Sequence, residues 1–166
     1  MTATRRGFLG AAGLGLGGAI GLFGWNGFGA AAPKGDFPVK LSDAQWRQRL
    51  SPAAYRVLRQ EGTEAPYSSP LNGEHRAGTF LCAGCAAPLF SSRTKFDSGT
   101  GWPSFWQPLK GAVGTTTDRT LGMSRTEVHC ARCGGHQGHV FEDGPKPTGL
   151  RYCMNGVSLR FVAGRA

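Results

Sequence analysis

Thr126-Glu127-Val128-His129-Cys130-Ala131-Arg132-Cys133-Gly134-Gly135-His136-Gln137-Gly138-His139-Val140-Phe141 carries the reading that decides the fold. Thr126 to Cys130 and Gly138 to Phe141 read as short strands. Between them stands a C-x-x-C pair followed by two glycines. Two cysteines at that spacing leave one tight turn together and can grip one ion. A second pair, Cys82-Ala83-Gly84-Cys85, closes another strand-like run, Thr79 to Cys82. Two such turns complete a tetrahedral four-thiolate site for Zn²⁺, with Gly84, Gly134 and Gly135 suited to the turns. The site would clamp distant parts of the chain, which a small β domain needs. Two disulfides, or a redox-active C-x-x-C, are the competing readings.

Working outward, Val157, Leu159 and Phe161 alternate with Ser158 and Arg160 as a half-buried strand. No helix-length apolar period follows Gly62. Upstream, Ser42-Asp43-Ala44-Gln45 reads as a capping box and Ser51-Pro52 as a second helix start. Gly62 is the expected stop. Residues 41–62 thus form two short helices with Trp46, Leu50, Tyr55 and Leu58 buried, and residues 63–78 form a loop. The class is mainly β, an antiparallel domain with an N-terminal helical flank.

The chain has 166 residues, enough for one domain. Hydrophobic residues at 40% and charged residues at 17% allow a packed core and argue against wholesale disorder. There is no repeat and no heptad run, which excludes solenoids and coiled coils. The net charge of +9 comes from scattered residues, with Arg5-Arg6 the one adjacent basic pair. That pattern reads as solubility rather than nucleic-acid binding.

Eleven of the 27 glycines fall in residues 1–35. There, Thr4-Arg5-Arg6-Gly7-Phe8-Leu9 opens a stretch with no charge until Lys34, closed by Gly29 to Ala32. This is a basic, then apolar, then small-residue leader, and its paired arginines resemble a twin-arginine export signal. Cleavage is expected near Ala31; a retained membrane anchor is the alternative. The expected organisation is a leader at 1–31, a linker at 32–40, the domain at 41–162 and a tail at 163–166. The location is periplasmic, or at the inner membrane if the leader stays.

With four cysteines assigned to the metal, Cys153 stands alone, in Arg151-Tyr152-Cys153-Met154-Asn155. A lone cysteine is ordinarily a small hydrophobe. Its company includes His136 and His139, groups that can lower a thiol pKa and donate protons. Gly99-Thr100-Gly101-Trp102-Pro103-Ser104-Phe105-Trp106 offers either a loop over the core or an apolar wall for a small substrate group.

Three strings, Thr94 to Phe105, His136 to Phe141 and Gly149 to Asn155, closely resemble the B-type peptide methionine-R-sulfoxide reductases. The resemblance runs from about Leu41 to Val162 and includes Arg56 to Glu64 and both C-x-x-C pairs. It implies a β-tent of two antiparallel sheets and thiol-dependent reduction of the R epimer of methionine sulfoxide in peptides and proteins. It implies Cys153 as nucleophile with a lowered pKa, His139 and His136 as proton donors to the oxygen, and Asn155 as an orienting group. Trp102 is the aromatic wall, with Phe105, Asp143 and Arg151 as further substrate-side residues. Zinc would be structural. One departure stands out: Thr100 occupies the place where many family members carry a resolving cysteine. An external thiol reductant, such as a thioredoxin-like protein, is therefore the expected partner, and nucleic acid is not. A zinc-stapled binding module and a Cys-His hydrolase or acyltransferase remain the alternatives.

Overall fold

The computed structural model describes residues 35–164, so the leader at 1–31 and the tail's last two residues lie outside the described part. Two helices come first, α1 (Asp43–Arg49) and α2 (Pro52–Gln60). The capping box forms as its residues dictate: Gln45 N–H donates to Ser42 Oγ, and Ser42 N–H donates to Gln45 Oε1 at 2.8 Å. Ser51 caps α2 with Pro52 at its first position. The left-handed residue that ends α2 is Glu61, at φ 53°, one residue before the expected glycine. Trp46, Leu50, Tyr55 and Leu58 are buried, joined by Ala54 and Val57.

Nine strands follow: β1 (Gly78–Cys82), β2 (Pro88–Ser91), β3 (Lys95–Phe96), β4 (Ser104–Phe105), β5 (Val113–Asp118), β6 (Arg125–Cys130), β7 (His136–Phe141), β8 (Arg151–Met154) and β9 (Leu159–Ala163). They make two antiparallel sheets. One is β2-β1-β9; the other is β3-β4-β8-β7-β6-β5. Residues 156–158 are a 3₁₀ turn rather than the start of a strand. The cause is Glu64, whose buried carboxylate accepts the N–H groups of Gly156 and Val157 at 2.5 and 2.9 Å.

The core lies between the sheets and under the helices. Phe80 and Phe90 from the small sheet meet Phe105 from the large one, at ring centroids 4.9 and 4.3 Å apart. All three are fully buried. The packed unit starts before Leu41: Val39 N–H donates to Arg132 O at 2.8 Å, and the Phe37 ring lies edge-on to His129. No helix among the described residues is long and apolar enough to cross a membrane.

Candidate active site and metal cluster

The two C-x-x-C turns have the same backbone. Ala86 N–H donates to Cys82 O, and Gly134 N–H donates to Cys130 O, each at 2.9 Å. Cys82 N–H donates to Ala87 O at 2.8 Å and Cys130 N–H to Gly135 O at 2.9 Å. Both turns place a left-handed residue after the second cysteine, Ala86 at φ 59° and Gly134 at φ 65°. Glycine takes that conformation freely and alanine does so under strain.

All four sulfurs lie within 4.8 Å of one another. Cys82 Sγ is 3.7 Å from Cys133 Sγ, and Cys85 Sγ is 3.6 Å from Cys130 Sγ. Tetrahedral metal–sulfur bonds of about 2.3 Å would set sulfurs about 3.8 Å apart. A disulfide needs about 2.05 Å. The donor set therefore fits a metal ion, and all five cysteines are free thiols. Helices α1 and α2 sit on the cluster, Trp46 against Gly84 and Leu58 against Gly135.

The second site is a cleft of about 130 Å³ in the large sheet, lined by Thr63, Trp102, Arg125, Gly138, His139, Phe141, Cys153 and Asn155. Register makes it. Cys153 on β8 pairs with His139 on β7 and with Ser104 on β4. Cross-strand partners share a face of the sheet, so thiol and imidazole are neighbours. Gly138 lets the strands approach, since a Cβ there would run into the Cys153 carbonyl oxygen. Trp102 is fixed by its indole N–H, which donates to Glu64 O at 3.2 Å. Asn155 accepts from Glu64 N–H at 2.9 Å and donates to Gln137 O at 3.1 Å, tying loop, helix turn and β7 together.

His139 Nε2 lies 2.8 Å from Asp118 Oδ2. Burial pushes Asp118 up, but hydrogen bonds from Thr120, His139 and Arg125 outweigh it and hold the carboxyl well below its ordinary value. An ionised Asp118 makes Nε2 the N–H of the ring and leaves Nδ1 as its free acceptor. Burial lowers His139 below its ordinary value; the Asp118 bond opposes this without cancelling it. His139 is thus a neutral base near pH 7.

Cys153 departs from the sequence expectation. Burial pushes its thiol up, and the Thr100 hydrogen bond and the Arg151 charge offset this only in part. At rest the burial of Cys153 favours the protonated thiol.

Phe105 must also be corrected. It does not line the cleft; it is the aromatic bridge of the core, because β4 turns Ser104 and Phe105 to opposite faces. Asp143 and Arg151 stand outside the lining. They form a bidentate pair at 2.8 and 2.8 Å, with the Arg151 guanidinium over the Phe141 ring, 4.5 Å from its centroid. Arg151 lies two residues from Cys153 on the same strand face and lowers its pKa. His136 sits behind His139, its ring centroid 5.4 Å away, fully buried with Nδ1 on Glu127 at 2.9 Å. Glu127 bridges His136 and His129. Sequence reading missed Asp118, Arg125, Glu127 and Thr63. The alternation Glu127, His129 opposite Val128, Cys130 was the available hint.

The SelR domain model matches residues 50–163. The chain belongs to the SelR family. Its relatives include proteins named peptide methionine sulfoxide reductase MsrB. The one from Leptospira interrogans is 54% identical over 127 residues, covering 76% of this chain and 97% of the relative. Those from Agrobacterium fabrum and Thiobacillus denitrificans are 56% and 58% identical over 124 and 121 residues, with 92% of each relative covered. The family's fold is the one described above, mainly β in two antiparallel sheets with a four-cysteine cluster.

Proposed function

We propose that this SelR-family enzyme reduces the R epimer of methionine sulfoxide in peptides and proteins, with Cys153 as the nucleophile. The observation that carries the reading is the meeting of Cys153, His139 and Trp102 in one cleft. The names of the relatives support it.

The sulfoxide's methyl group lies against Trp102, and its electrophilic sulfur faces Cys153. His139 Nδ1 takes the thiol proton, while Asp118 steadies the imidazolium that forms. The sulfur of Cys153 attacks, and His139 returns the proton to the sulfoxide oxygen. The oxygen ends on Cys153 as a sulfenic acid. The substrate sulfur gains two electrons and leaves as methionine, and the cysteine sulfur loses two. One external thiol then displaces hydroxide as water and gives a mixed disulfide; a second thiol releases Cys153 and leaves as a disulfide. Thr100 makes this external route necessary, since the other four cysteines are gathered in the cluster.

We assign zinc to Cys82, Cys85, Cys130 and Cys133. Four thiolates leave no open position, so its role is structural. We also propose export through the Arg5-Arg6 leader, with the domain acting in the periplasm.

The test is turnover of resolved sulfoxide epimers with a dithiol reductant. Methionine should form from the R epimer and not with Cys153→Ser. Equal use of both epimers, or activity in Cys153→Ser, would refute the assignment.

A further inference from the structure

The loop between β3 and β4 carries more hydroxyl groups than a wall requires. Thr100 Oγ1 lies 3.9 Å from Cys153 Sγ. Ser98 Oγ lies 2.8 Å from Thr100 Oγ1 and 2.7 Å from Ser104 Oγ. Ser104 is fully buried opposite Cys153, and its hydroxyl donates to Trp102 O at 3.0 Å. The groups form one row: Cys153, Thr100, Ser98, Ser104. The row is pinned from outside. Tyr67 O–H donates to Gly99 O at 2.6 Å, and Gly101 O accepts from Tyr67 N–H at 2.7 Å and the Asn72 amide at 2.9 Å.

We propose that Thr100, backed by Ser98 and Ser104, is a reversible hydrogen-bond partner of the Cys153 sulfur. It accepts from the thiol at rest and donates to the sulfur once that atom carries negative charge. The proposal rests on the reading of Cys153 as the reactive thiol of the cleft, and its relevance to turnover rests on the proposed function.

The proton count supports it. Each hydroxyl has one proton to give. At rest, Cys153 S–H donates to Thr100, Thr100 to Ser98, Ser98 to Ser104, and Ser104 to the Trp102 carbonyl. Every hydroxyl then donates once and accepts once. The row ends on the Trp102 carbonyl, an acceptor with no proton to pass on. When His139 removes the thiol proton, Thr100 turns its O–H to the sulfur and Ser98 turns its own to Thr100. Only O–H rotations are needed. Ser104 either keeps the Trp102 carbonyl or exchanges it for Ser98. A bond to a charged acceptor is about twice as strong as a neutral one, which favours the turned row. The charged and titratable groups around Cys153 are His139 on β7, Asp118 on β5, Arg125 on β6, and Arg151 with Asp143. They are common to every variant below.

Alkylation of Cys153 by iodoacetamide, followed by peptide mass across pH on the full metal-bound chain, tests this. Thr100→Val should move the alkylation midpoint to higher pH and slow the reaction near neutral pH about tenfold. Thr100→Ser should restore the wild-type profile. Ser98→Ala, which leaves Thr100 in place, should shift it in the same direction by about threefold and carries the test if Thr100→Val does not fold. An unmoved midpoint in the folded variants, or an equal shift in Thr100→Ser, overturns the proposal. Alkylation needs no sulfoxide. A failed sulfoxide assay beside a shifted midpoint would therefore refute the enzymatic reading and leave this one standing.

Discussion

Replacing Asp118 by Asn tests the proton path most directly. Asp118 Oδ2 holds His139 Nε2 at 2.8 Å and an Arg125 nitrogen at 2.6 Å. Asn keeps the shape and removes the charge. A hydrogen bond to a charged group contributes about 1.5–3 kcal/mol. The imidazolium formed in the transition state would lose that support, so kcat/KM should fall roughly 10- to 100-fold. The pH profile carries a second signature. If neutral His139 is the base, as proposed, activity falls as pH drops through its pKa. Asp118 raises that pKa, though burial holds it below the ordinary value. Without the carboxylate it drops further, and the acid limb should move to lower pH while the plateau falls. The assay is methionine formation from resolved sulfoxide across pH, at a temperature where both proteins are folded. The double mutant decides. If Asp118 acts through His139, then Asp118→Asn should cost little in a His139→Ala background. A full 10- to 100-fold loss in that background, or a plateau that falls with an unmoved acid limb, would refute the reasoning.

Three further outcomes follow from the geometry. Cys85→Ser should lower metal content below one ion per chain by elemental analysis and reduce soluble yield; full metal occupancy would contradict the cluster. Phe105→Ala should cost roughly 3–5 kcal/mol in denaturant unfolding because it removes the ring joining the two sheets, whereas Trp102→Ala should raise KM with a much smaller effect on stability. Thr100→Cys should give an internal disulfide with Cys153 after one turnover, visible as the loss of two hydrogen atoms in the intact mass relative to the reduced protein. A persistent sulfenic acid in that variant would show that the pair does not close.

Much of the molecule was legible because its signals are local. The capping box at Ser42, both C-x-x-C turns and the strands beside them depend on neighbours a few residues apart. Cys153, His139 and Trp102 were legible by resemblance, and register then puts them in one cleft. What escaped depends on distant packing. Asp118 ends a strand of exposed threonines, Val113–Asp118, that looks like surface; only the order β5-β6-β7 brings it to His139. Phe105 was misread because three aromatics share one short string, and strand alternation, not composition, sends that ring to the core. The raised pKa of Cys153 is a matter of burial, which no spacing reports. The turn at Gly156 was missed because the carboxylate that holds it, Glu64, comes from 92 residues upstream.

The two sites are not independent. The second C-x-x-C turn is also the connection from β6 to β7, so an ion bound by Cys130 and Cys133 would fix how those strands align. That alignment sets Glu127 beside His136 and brings His139 to the level of Cys153. A direct route runs in parallel. Gln137 Nε2 donates to Cys82 Sγ at 3.5 Å, and Gln137 O accepts from both Asn155 N–H at 2.8 Å and the Asn155 amide. Asn155 in turn fixes Glu64 N–H, and Glu64 O fixes the Trp102 indole. The cysteine cluster, strand register and cleft wall are therefore links of one chain of bonds. An ion held by the four cysteines would thus help to place His139 and Trp102 in the cleft without itself approaching it.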